Sequence, residues 1–141
     1  MAVKNKYLVL DSSALIALAN KNDSTHKKAV DILQSISQQR HFGLLPNDIF
    51  IETINTIGKK LSKTLAIKTA RQVGEFKWLD ITESGKGVRE NGIEKFIQTK
   101  SDVSLTDCIV MATADEYKTK LIFGFDKHFK TAGYKRVGLD K

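Results

Sequence analysis

Apolar positions along this chain follow two rhythms. Tyr7-Leu8-Val9-Leu10 is an unbroken apolar run, the pattern of a short strand covered on both faces, and it stops at Asp11. Good helix formers follow in Ala14-Leu15-Ile16-Ala17-Leu18-Ala19, with Asp11 or Ser12 placed to cap the first turn. A second helix is predicted from about Thr25 to Gln39, its stripe formed by Ala29, Val30, Leu33 and Ile36. Gly43-Leu44-Leu45-Pro46 reads as a buried strand. From Asn47 or Asp48 a helix carries Phe50, Ile54, Ile57 and Leu61 at helical spacing, and Ser62 caps another that ends near Gly74. Phe76 to Ile81 alternates like a strand, and a weakly periodic helix is expected from about Val88 to Thr99, with Gly92 inside it. Ser104-Leu105-Thr106-Asp107 is a capping-box start for a helix running to about Tyr117. Lys120 to Phe125 is a further strand-like run before Asp126, and Val137 with Leu139 reads as a last edge strand.

Strands alternating with helices imply an α/β three-layer sandwich, a central and mostly parallel sheet flanked by helices. Sites in such sheets form beyond the carboxyl ends of the strands, where Asp11 and Asp126 fall. The 141 residues carry 41% apolar and 28% charged positions with one proline, and no linker, repeat or low-complexity stretch interrupts them, so one domain spanning 1–141 is expected. No apolar run reaches the roughly 20 residues of a membrane span, the first strand is too short for a signal peptide's apolar region, and the lone Cys108 supports neither an internal disulfide nor a zinc cluster. A cytoplasmic location is the expectation.

Charge changes the picture. Twenty-three Lys and Arg against 16 Asp and Glu give +7, which favours a polyanionic partner such as nucleic acid, although the lysines are scattered as on any solvated surface. Against this basic background, Asp11 and Asp126 each follow an apolar strand, while Glu52 and Asp107 lie near the starts of helices that must dock on the same sheet. Carboxylates gathered in a cleft repel one another and raise each other's pKa unless a cation sits among them, and hard oxygen donors suit Mg²⁺ or Mn²⁺. An acidic metal site on a basic protein describes phosphodiester hydrolysis. Each acid also has a local explanation: Asp11 as a helix cap, Asp107 as the acid of a capping box, Glu52 as a solvated acid early in its helix, and Asp126 as the start of a turn.

The segments Leu8 to Leu18 (LVLDSSALIAL), Leu105 to Ala114 (LTDCIVMATA) and Leu121 to Phe129 (LIFGFDKHF) resemble the PIN-domain ribonucleases, especially the small VapC-like toxins of toxin–antitoxin pairs, and the resemblance covers nearly the whole chain. It implies a PIN-like fold and a metal-dependent endoribonuclease. Position by position, Asp11, Glu52, Asp107 and Asp126 match the family's acidic site, and Ser13 matches the small polar residue supporting the first acid. Asp11, Asp107 and Asp126 are thereby implied as ligands of Mg²⁺, with Mn²⁺ able to substitute. Water would attack phosphorus in line, leaving 5′-phosphate and 3′-hydroxyl ends. A homodimer and a cognate antitoxin are implied partners besides RNA. Gly124 departs from the pattern, because the family usually has Thr or Ser two residues before the last acid.

Gly124 is also the best support for an alternative, a PIN-like RNA-binding or assembly module without turnover; retention of all four acids argues against it. A phosphoryl-accepting receiver would want an acidic pair near the N-terminus and a late lysine, which Lys127 alone does not supply. His26, His41 and His128 are far apart in sequence and read as surface residues rather than as an acid–base pair. Cys108, with apolar Ile109 and Ala112 on its helix, reads as packing, as do Phe76, Trp78 and Tyr134.

Overall fold

The computed structural model describes residues 6–141. Its elements in chain order are β1 (Tyr7–Leu10), α1 (Ser12–Ala19), α2 (His26–Gln38), β2 (Phe42–Pro46), α3 (Asn47–Lys60), α4 (Lys63–Glu75), β3 (Leu79–Thr82), α5 (Lys86–Gln98), α6 (Leu105–Glu116), β4 (Leu121–Phe123), α7 (Lys127–Thr131) and β5 (Lys135–Arg136). The strands form one five-stranded sheet in the order β3-β2-β1-β4-β5. Every pairing is parallel.

β1 is central, which explains its unbroken apolar run: Leu8, Val9 and Leu10 are buried because helices cover both faces. The chain steps outward from β1 to β2 and β3, then returns to lay β4 and β5 on the other side. The strand order thus reverses between β1 and β4, and the crevice beyond their carboxyl ends is where a parallel α/β sheet binds its ligand. Asp11 extends this seam, its N–H donating to the Phe123 carbonyl at 3.0 Å.

Cys108 to Ala114 of α6 are all buried, so this helix is packed on every side and carries little amphipathic signal. α5 lies along it. A Cβ on Gly92 would come within 2.7 Å of Ile109 Cδ1, so the glycine that weakens the helical pattern is what lets the two helices approach. The Tyr134 hydroxyl donates to Asp115 Oδ1 at 2.6 Å, and Lys95 Nζ lies 3.0 Å from Asp115 Oδ2, tying α5, α6 and the approach to β5 together. Burial and the Asp115 carboxylate push the Tyr134 phenol up to about 12.

Several boundaries differ from the sequence pattern. Phe76 is the C-cap of α4 rather than the first residue of a strand, its N–H donating to the Val73 carbonyl, and β3 begins only at Leu79. The apparent alternation came from Phe76 and Trp78, which pack against each other at 5.6 Å beside the core. β4 stops at Phe123 because Gly124 and Phe125 turn out of the sheet, where the Phe125 N–H meets the Ser13 hydroxyl at 3.0 Å. The edge strand is Lys135–Arg136, not Val137 with Leu139. Val137 still donates to the Ile122 carbonyl at 2.8 Å, but Leu139 N bonds back to the Arg136 carbonyl and turns the chain away. α7 was not visible in the pattern: its five residues give too little periodicity, although Asp126 caps it and Phe129 anchors it in the core.

At the sheet edge Arg136 makes a clamp. Its Nε and Nη2 donate to the Asp140 carboxylate at 3.0 and 2.9 Å, while Nη1 donates to the Phe125 carbonyl at 2.9 Å. The paired guanidinium holds the Asp140 carboxyl down to about 2.

Candidate active site

Asp11 is placed by two local rules at once: it ends β1 and caps α1. Its Oδ2 accepts from the Ser13 N–H at 3.2 Å and from the Ser13 hydroxyl at 2.8 Å. The same hydroxyl accepts from the Phe125 N–H, so Ser13 joins the end of β1 to the loop leaving β4. Asp11 is only 4% exposed. Burial pushes its carboxyl up to about 6, opposed in part by the Ser13 hydrogen bonds and reinforced by the neighbouring Asp107.

Asp107 is the third residue of α6, and the capping box anticipated from the sequence is formed. Ser104 Oγ accepts from the Asp107 N–H at 3.1 Å, and Asp107 Oδ2 accepts from the Ser104 N–H at 3.1 Å. Capping and site placement coexist, since the second carboxylate oxygen remains free to face the crevice. Asp126 caps α7, Oδ1 accepting from the His128 N–H at 2.9 Å.

His128 is the residue that sequence reasoning set aside. One ligand atom from each of Asp107, Asp126 and His128 lies within 4.8 Å of the others, a compact set of two carboxylates and an imidazole. His128 Nε2 lies 3.0 Å from Asp102 Oδ2 in the loop before α6. Its Nδ1 is 2.6 Å from Asp126 Oδ1, but too oblique for a hydrogen bond, and that buried nitrogen is left without a hydrogen-bond partner. The Asp102 hydrogen bond, with Asp126 and Asp107 adding, favours the charged imidazolium. The available signal was the i, i+2 spacing of Asp126 and His128 at the start of a short helix, which places both beside the crevice.

The structure therefore brings Asp11, Asp107 and Asp126 to one crevice, with Ser13 supporting Asp11. Glu52 stands exposed on the second turn of α3, and its side chain makes no hydrogen bond or ion pair among the described residues. Asp48, one turn earlier, is exposed as well. The remaining histidines are elsewhere: His26 Nδ1 lies 2.7 Å from the Ala17 carbonyl, and His41 is buried, which lowers its pKa. Cys108 is buried, and burial raises its thiol's pKa, which disfavours the reactive thiolate.

Gly124 has a packing reason. A Cβ there would lie 2.8 Å from Asp11 Cβ and 3.2 Å from Phe129 Cε2, so Asp11 occupies the space a side chain would need. Gly124→Ala should cost about 1 to 3 kcal/mol in urea denaturation and displace Asp11. A variant as stable as the parent would show that the contact relaxes freely.

A PIN-domain family model matches residues 8–134, and the chain belongs to that family. Several solved structures share the fold, among them the following three. The sarcin-ricin loop cleaving toxin VapC20 of Mycobacterium tuberculosis superposes with a TM-score of 0.83 at 18% identity, covering 92% of this chain and 98% of that one. VapBC2 from Rickettsia felis, bound to a DNA fragment from its promoter, gives 0.69 at 12% identity over 90% and 93% of the two chains. FitAcB from Neisseria gonorrhoeae gives 0.65 at 13% identity over 89% and 91%. No curated protein matches the sequence. Among the described residues no helix is long and apolar enough to cross a membrane.

Proposed function

We propose that this chain is a single-domain, metal-dependent endoribonuclease of the VapC-like toxin type. The observation that carries the reading is the meeting of Asp11, Asp107 and Asp126 at the reversal point of a parallel sheet, in a protein of net charge +7. The acids fit a divalent cation, because the carboxylates of Asp107 and Asp126 lie close together and Asp11 is a charged neighbour of Asp107. When bound, such an ion supplies Lewis-acid stabilisation of charge developing on the phosphate and lowers the pKa of water. Asp107 and Asp126 would hold it. Asp11, costly to ionise in the metal-free protein, becomes favourable beside a cation, and Ser13 fixes its orientation. Glu52, exposed on α3, would be the fourth acid.

The scattered Lys and Arg supply the sequence-independent grip on the RNA backbone. VapC20, a sarcin-ricin loop cleaving toxin, supports RNA as substrate, and VapBC2 on its promoter DNA supports a cognate antitoxin for this chain. A homodimer in the cytoplasm completes the reading.

The test is RNA cleavage with Mg²⁺ or Mn²⁺ and analysis of the ends. The expected products carry 5′-phosphate and 3′-hydroxyl groups, and EDTA stops the reaction. Cyclic 2′,3′-phosphate ends, or cleavage that survives chelation, would overturn the metal reading. Salt-sensitive RNA binding without turnover would favour the non-catalytic module.

A further inference from the structure

We propose that His128 is itself a metal ligand through Nδ1, oriented by Asp102, and that this imidazole makes the site select a first-row transition ion over Mg²⁺. The inference rests on the metal-dependent reading above and goes beyond its all-carboxylate ligand set.

Three observations carry it. Asp102 lies 3.0 Å from Nε2, and a carboxylate there can only accept, so Nε2 carries the proton. A cation entering between Nδ1 and the two carboxylates takes the place of the Nδ1 proton, so that Nδ1 is the ring nitrogen available to bind it. Nδ1 is buried and makes no hydrogen bond, although Asp126 Oδ1 is only 2.6 Å away, and one donor atom from each of Asp107, Asp126 and His128 lies within 4.8 Å of the others. An acid bonded to the far nitrogen of a histidine whose near nitrogen faces oxygen donors is the usual outer-sphere arrangement of a metal-binding histidine, because it fixes the tautomer and raises ligand basicity.

The consequence for selectivity is chemical. Mg²⁺ demands near-octahedral oxygen coordination and gives up its waters reluctantly, whereas imidazole suits later, softer ions. Mn²⁺ is the weakest binder of the first-row series, so a preference for Mn²⁺ over Mg²⁺ is a stringent form of the claim. Asp102 is far along the chain from Asp126 and carries no other evident duty: it is exposed, on a loop, and makes its side-chain contact with His128.

The experiment is Mn²⁺ binding to the full chain, followed by electron paramagnetic resonance with pulsed detection of nitrogen coupling. The parent should bind Mn²⁺ with a histidine nitrogen coupled to it and resist displacement by a tenfold excess of Mg²⁺. His128→Gln should lose the nitrogen coupling and the preference for Mn²⁺ while keeping the parent's circular dichroism. Asp102→Asn, a change on an exposed loop, should keep the nitrogen coupling and weaken Mn²⁺ affinity by about 10- to 100-fold. Bound Mn²⁺ with no coupled nitrogen would overturn the assignment, leave His128 as an ion-pair bridge between Asp102 and Asp126, and leave the nuclease reading standing. Absence of any Mn²⁺ binding, together with RNA cleavage in EDTA, would overturn both.

Discussion

Asp107→Asn should lower the rate of RNA cleavage by about 10³-fold and leave the fold intact. Such a loss corresponds to about 4 kcal/mol of transition-state stabilisation, the several kilocalories expected when a site can no longer hold its cation. The substitution is a clean probe because the side chain has two separable duties. As the acid of the capping box it accepts from the Ser104 N–H at 3.1 Å, and an Asn carbonyl oxygen can do the same. As a member of the trio with Asp126 and His128 it contributes negative charge, and Asn cannot. Ser104→Ala gives the complementary loss: the cap weakens by about 1 kcal/mol while the carboxylate remains. Thermal melting and single-turnover cleavage on both variants separate the duties. Equal damage to cleavage from the two substitutions would mean that Asp107 serves the helix and not the chemistry.

Asp11→Asn should make the metal-free protein more stable at pH 7, by up to about 3 kcal/mol. The carboxyl is raised from its ordinary 3.8 to about 6, chiefly by burial, so between those values the folded chain keeps a proton that the unfolded chain has released. Stability therefore falls as pH rises from 4 to 6, and the full penalty is present above that window. Asn carries no charge to bury and caps a helix about as well, so the variant escapes the penalty without losing the Ser13 contacts. Near pH 4 parent and variant should melt alike. Mn²⁺ at about 1,000 times Kd should reverse the order at pH 7, since binding then adds about 4.1 kcal/mol to the parent. Urea titrations at pH 4, 5.5 and 7, with and without the ion, measure this. A variant weaker than the parent at every pH would place Asp11 among purely structural caps.

Asp11, Asp107 and Asp126 could be read from the chain because each sits where an element boundary has its own signal: an apolar run ending in an acid, a capping box, and a second apolar run ending two residues early. Parallel topology then forces the boundaries together, since the strands carrying Asp11 and Asp126 are neighbours. His128 was hidden for the opposite reason. Its partners Asp102 and Asp107 precede it by a helix and a strand, and the five-residue α7 that aims it leaves no periodic trace. Phe76 and Trp78 misled because large aromatics at alternate positions imitate a strand when a helix exit packs them side by side. Gly124 read from the chain as a missing hydroxyl. Only the position of Asp11 shows it as space already taken.

The Arg136 clamp sets how the acidic crevice can fail. The segment that presents Asp126 and His128 is fastened to a two-residue edge strand through the Phe125 carbonyl, whereas Asp11 hangs from the fully buried centre of the sheet. Edges open more readily than centres, in units smaller than the whole molecule. One half of the donor set is thus anchored to the most durable part of the protein and the other half to one of its most easily frayed. On the proposed function, the fraction of molecules able to cut RNA would then depend on the free energy of peeling that edge, so changes at Arg136 or Asp140 should lower activity in a population whose melting temperature scarcely moves.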